Sequence, residues 1–178
     1  MMLLAVVGFL LVGTLITQLV LQTRQRDARN DLLTHVDPAR VRLGDLRAAV
    51  IDQESGVRSF ALTDDPGFLE QYRRGRQAAG AARDRLDELV GDRPAVVREL
   101  EMADDRVDAW ETGYAEPAVA AGEAGLPQPP ALALEGKALA DQMRASIDDV
   151  DVELNALRAA AIDDLDDAAR RATAVLVV

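Results

Sequence analysis

Residues 37–72 read DPARVRLGDLRAAVIDQESGVRSFALTDDPGFLEQY. One row of residues runs through this stretch from just upstream: Leu32, Val36, Ala39, Leu43, Leu46, Val50, Gln53, Val57 and Phe60, in alternating steps of four and three. Only Gln53 in the row is polar. A stripe of this spacing lies along one side of a helix and suits packing against other helices at a shallow angle. Asp37-Pro38 and Asp65-Pro66 frame the stretch. Each sets a capping side chain before a proline at the first helical position, and so reads as a helix start.

The same pattern continues outward. Phe68, Tyr72, Gly75, Ala79, Ala82, Leu86 and Leu89 form a second row, and Leu100, Ala103, Val107, Trp110 and Tyr114 a third. Met143, Ile147, Val150, Leu154, Leu157 and Ala161 form a fourth. A third start falls near Asp92-Arg93-Pro94, and the loop GEAGLPQPP at 122–130 precedes a fourth at Ala131. Starts at 38, 66, 94 and 131 leave segments of roughly 25, 25, 28 and 40 residues. No stretch alternates with period two for long enough to make a strand. The expected fold is all-α, an up-down-up-down four-helix bundle about 38 Å long at ~1.5 Å per residue. Its even helix count returns the chain to the end where it began.

That return suits the chain's two ends. Residues 1–23, MMLLAVVGFLLVGTLITQLVLQT, carry no charge, and Arg24 is the first charged residue. Such a run is long enough to cross a bilayer as a helix. A cleaved signal peptide competes, but the basic start, shorter apolar core and small-residue cleavage site it needs are absent. After Arg170-Arg171, residues 172–178 read ATAVLVV, which resembles the first turns of a second span cut short. A frayed apolar tail is the alternative. The expected division is a transmembrane helix at 1–23, a juxtamembrane junction at 24–37, a four-helix domain at 38–168 and the truncated start of a second transmembrane helix at 172–178. Arg24, Arg26 and Arg29 favour a cytoplasmic loop, but the rule behind that preference applies to short loops, so charge leaves the side undecided.

Composition excludes several classes. Twenty Lys and Arg face 31 Asp and Glu, a net charge of −11, which argues against a nucleic-acid partner. With no cysteine and one histidine, His35, disulfides, thiol catalysis and zinc or iron–sulfur centres are out, and no cofactor or metal is expected. No phosphate-binding glycine loop, nucleophile–base pair or zinc motif is present, so no catalytic residue is expected in this segment. Ten acids against Lys137, Arg144 and Arg158 in 131–167 read as a solvated acidic face, with divalent-cation binding by the aspartates of 148–151 and 163–167 as the alternative. His35 reads as a surface histidine near the membrane, with a pH switch as the alternative.

Val50–Tyr72 carries a resemblance. Asp52, Glu54, Gly56 and Arg58, then Leu62, Thr63 and Asp65, then Phe68, Leu69 and Tyr72, resemble the signature of the third type of CHASE domain, a sensory domain of bacterial receptors. Trp110 with Pro117, and Glu135-Gly136-Lys137 with Asp141 and Arg144, resemble that family's later motifs in the right order. Ser59-Phe60 stands where the family usually has Gly-Tyr or Gly-Phe. The resemblance implies an extracytoplasmic four-helix sensor between two spans of the cell membrane, expected as a homodimer. It also implies an output module downstream, most often a histidine kinase. A chemoreceptor or cyclase ectodomain, or a membrane-anchored bundle that binds or assembles a partner, are the alternatives. The stimulus, a small molecule or a protein, is not legible.

Asp52, Glu54, Gly56, Arg58, Thr63, Tyr72 and Trp110 are the candidate ligand-binding or signature residues. Glu54 and Arg58 are spaced i,i+4 in the favourable order. They contact a ligand near the tip, or they tie the first helix to the turn at Thr63 and Asp65, and the structural role is the simpler expectation. Gly56 is expected to admit a close neighbouring helix. Tyr72, Trp110 and Tyr114 occupy heptad positions, where aromatics form core; a small pocket is the competing reading.

Overall fold

A computed structural model describes residues 2–176, apart from the side chains of 2–7, 9–11, 21, 24, 168 and 171–176. Its elements are α1 (Met2–Asp31), a π-helical turn (Leu32–Val36), α2 (Asp37–Thr63), α3 (Gly67–Val90), α4 (Pro94–Trp110), a second π-helical turn (Glu111–Ala115), α5 (Glu116–Glu123) and α6 (Pro130–Leu176). There is no strand among the described residues. The chain divides into two compact units: Met1–Asp37 with Ala156–Val178, and Pro38–Asn155.

The unit Pro38–Asn155 is a four-helix bundle, and cross-helix pairs give its register. Arg40 with Asp151, Arg47 with Asp148 and Arg144 with Glu54 set α2 antiparallel to α6. Gly56 against Phe68 and Tyr72, and Gly75 against Ala49 and Gln53, do the same for α2 and α3. Arg83 with Asp104 and Arg76 with Glu111 pair α3 with the third helical segment. Arg106 with Gln142 closes the ring from α4 to α6. Helices run up, down, up and down, as the four stripes require.

The stripes form the core. Ala39, Leu43, Leu46, Val50, Gln53, Val57 and Phe60 are all buried, as are Leu86, Leu100, Trp110, Met143, Ile147, Val150 and Leu154. The second stripe departs from expectation at its ends, where Leu69 and Val90 take the buried places instead of Phe68 and Leu89, and Val107 of the third stripe and Leu157 and Ala161 of the fourth are only half-buried.

Turn chemistry fixes the tip. Asp64 closes α2 in the left-handed region at φ 55°, its N–H reaching the Phe60 carbonyl at 2.8 Å. Asp65 caps α3, accepting the Gly67 N–H on Oδ1 at 2.8 Å, which is the start expected at Asp65-Pro66. After α5, Gly125 stands at φ 67°; its N–H bonds Gly122 and that of Leu126 bonds Ala121, which together complete a Schellman closure.

The expected start at Asp37-Pro38 is corrected. The backbone is already helical from residue 2, and α2 follows the first π-helical turn with no residue between. The Asp37 N–H bonds the Leu32 carbonyl, five residues back. Proline has no N–H, and its ring collides with the carbonyl four residues back in an α-helix. A wider turn just ahead relieves the collision. The third segment repeats the device: the Glu116 N–H bonds the Glu111 carbonyl, and Pro117 follows. The single helix expected from 94 is therefore α4 and α5 joined through this turn. The last helix begins at Pro130, one residue before the expected Ala131.

The unit Met1–Asp37 with Ala156–Val178 contains α1, the first π-helical turn and the end of α6. Leu32 and Val36 are buried, Asp37 pairs with Arg158 at 3.3 Å, and exposed His35 lies 3.2 Å from Asp31. Among the described residues no helix is long and apolar enough to cross a membrane. Of the expected span at 1–23, the side chains of 1–7, 9–11 and 21 lie outside the described residues. So do all those of the expected second start at 172–178.

Candidate functional site

The periodicity of α2 sets Glu54 and Arg58 one turn apart on one side of the helix. On α6, Lys137, Asp141 and Arg144 recur at steps of four and three and share a face in the same way. Antiparallel packing of the two helices brings the faces together. Glu54, with 10% of its side chain exposed, binds Arg58 through Oε1 and Arg144 through Oε2. Arg144 also binds Asp141, and Asp141 accepts from Lys137 Nζ at 2.6 Å. The hydrogen bond from Lys137, joined by one from Arg144, holds the Asp141 carboxyl below its ordinary range.

These five side chains line an open groove of about 620 Å³ between α2 and α6, with Ile51, Ser55 and Ala133 completing its walls. The charges are unequally available. Arg58, Lys137 and Arg144 expose 56, 67 and 37% of their side chains. Of the two carboxylates, Glu54 is nearly covered and has both oxygens engaged. Asp141 is exposed, so the groove presents three cationic side chains and one carboxylate to solvent on a chain of net charge −11.

A second cluster lies inside the bundle. Trp110 is fully buried, with the Tyr72 ring edge-on at 6.4 Å and the Tyr114 ring tilted at 5.9 Å. The Arg76 guanidinium lies 5.8 Å from the Tyr72 ring centre and pairs with buried Glu111 at 2.9 Å. Burial raises the Glu111 carboxyl above its ordinary range against the pull of Arg76, with Asp108 and Glu116 adding to the rise. Burial, then Glu111, raises the Tyr72 phenol. The Trp110 indole N–H and both ends of the Gln53 amide are buried without a hydrogen-bond partner.

The candidate residues thus separate. Glu54 and Arg58 belong to the groove. Tyr72 and Trp110 are core. Gly56 is a contact point: a Cβ there would meet the Tyr72 nitrogen at 2.7 Å and the Phe68 carbonyl at 2.8 Å, the close approach expected of it. Asp52 is exposed and accepts from Gln71 at 3.2 Å. Thr63 is exposed at the tip, where its hydroxyl donates to the Ser59 carbonyl at 2.7 Å and accepts the Asp65 N–H at 3.3 Å. Glu54 is tied to α6 and not to that turn. Lys137, Asp141 and Arg144 were absent from the candidates. Their shared face on α6 and their place in the later motifs were visible; their meeting with Glu54 depends on inter-helix register. Among the described residues no group of three His, Asp or Glu side chains is placed to hold a metal ion.

A family model for the CHASE3 domain matches residues 29–164. No curated protein and no solved structure matches the chain.

Proposed function

Because the chain belongs to the CHASE3 domain family, whose members are sensory domains of bacterial signalling proteins, we propose that it is the extracytoplasmic sensor of a membrane-bound receptor. The observation that carries this reading is the family match over residues 29–164. The convergence of its signature residues Glu54, Arg58, Lys137, Asp141 and Arg144 on one groove supports it. The uncharged residues 1–23 serve as the first anchor and 172–178 begin the second. This segment is no enzyme; the output is a downstream module, most often a histidine kinase in receptors of this kind. A stimulus at the groove shifts α6 against α2. Residues 172–176 end the helix that carries Lys137 and Arg144, so an axial shift there leads toward the second anchor. The domain works as a homodimer and has no nucleic-acid partner.

The chain has no cysteine, which provides a direct test. A single cysteine at exposed Asp84 is introduced into the full chain in its host, and intact cells are treated with a membrane-impermeant maleimide. Labelling without permeabilisation, in the membrane fraction, is the expected result. Labelling only after permeabilisation overturns the reading.

A further inference from the structure

Of the chain's twenty cationic side chains nineteen are arginine, and the one lysine is Lys137. In 131–167, where ten acids face three bases, two of the three bases line the groove. On α6 positive charge thus gathers at the groove, whereas further along the same seam Asp148 and Asp151 meet Arg47 and Arg40 of α2. Each oxygen of Glu54 already holds an arginine. Arg58 uses its Nη2 on Glu54, and a guanidinium carries five N–H donors in a planar fork suited to a carboxylate. Lys137 carries three donors and spends one on Asp141, an exposed carboxylate that an incoming anion can replace. Beside these donors Ile51 and Ala133 offer apolar surface for a carbon body.

We propose that this groove binds a small organic anion of the dicarboxylate or tricarboxylate class, one carboxylate on the Arg58 fork and another displacing Asp141 from Lys137. The proposal rests on the sensory reading for its biological meaning. Occupancy would reach the bundle because the ligand joins Arg58 of α2 to Lys137 of α6 and competes with the pair each makes within its own helix, Arg58 with Glu54 and Lys137 with Asp141.

The single lysine makes the test specific. Reductive methylation with a ¹³C label preserves its charge and marks one side-chain amine. Succinate and citrate are titrated at constant ionic strength, with chloride and inorganic phosphate as controls. The expected result is a saturable shift of the Lys137 methyl signal with a carboxylate probe, absent with chloride and weaker with phosphate. Arg58→Ala weakens the affinity roughly tenfold, the loss of one charge-assisted fork. Arg42→Ala, on an exposed arginine elsewhere on α2, leaves it unchanged. Circular dichroism confirms that both variants are folded. A shift that never saturates, that chloride or phosphate reproduces, or that Arg58→Ala leaves intact overturns the proposal. External labelling at position 84 without carboxylate binding rejects this inference and retains the sensory reading. Saturable binding with internal labelling does the reverse.

Discussion

Gly136 of α6 lies under the ring of Tyr114: a Cβ at position 136 would stand 2.2 Å from the tyrosine Cδ2. No side chain fits there unless the ring moves, and Tyr114 is itself packed on Trp110. Gly136→Ala should therefore destabilise the protein by about 1–3 kcal/mol in denaturant unfolding, the usual range for overpacking. Gly80, also inside a helix, has nothing but its own local helix within 4 Å of where its Cβ would be. Gly80→Ala should stabilise by about 0.5–1 kcal/mol, because only helix propensity is at stake. Equal signs for the two would refute the contact.

Glu54 and Arg144 join α2 to α6 with the carboxylate nearly covered. A double-mutant cycle of Glu54→Gln and Arg144→Met should give a coupling of about 1–3 kcal/mol, as for hydrogen bonds to charged groups. Arg42 and Asp45, bonded at 2.7 Å and both exposed, should couple by no more than about 0.5 kcal/mol. A Glu54–Arg144 coupling as small as the control would mean that the pair does not hold the seam.

Gln53 occupies a core position with its amide unpartnered on both sides. Gln53→Met keeps the length of the side chain and removes the stranded polar atoms. It should raise stability by about 1–2 kcal/mol, measured by the denaturant midpoint at constant slope. A loss would show that the amide has a partner in solution.

Glu111 carries a carboxyl raised by burial, faced by Arg76, Asp108, Glu116 and Tyr72. The folded state then binds its proton more tightly than the unfolded chain does, so this group lowers stability as pH rises through the carboxylate range. Glu111→Gln should be more stable than the parent at pH 7. The difference should shrink as pH falls from the raised folded value toward the ordinary glutamate value, and should be small below it. Thermal unfolding of both proteins across that range checks the sign, and the shared background of net charge cancels in the comparison.

The bundle was legible because heptad rows depend only on local spacing. Every member of the first row from Leu32 to Phe60 is buried, down to polar Gln53. The Asp65 cap was legible for the same reason. What escaped was set by neighbours. Asp37-Pro38 matches the pattern of a helix start, but a preceding π-helical turn lets the backbone stay helical. Pro117 hides the same device. Half of the groove was missed because the pairing of residue 54 with residue 144 depends on the registry of two helices ninety positions apart. The amphipathic pattern specifies which face is buried and not which residue it meets.

The wide turn at 111–115 and Pro117 also constrain each other through descent. Losing one residue from that turn while keeping the proline restores the collision between ring and carbonyl. Losing the proline while keeping the extra residue leaves a widened turn with nothing to relieve, and an ordinary turn in its place would rotate the rest of the segment by about 100°. Neither change is neutral alone, so a chain that loses either the additional residue or Pro117 is expected to lose the other with it.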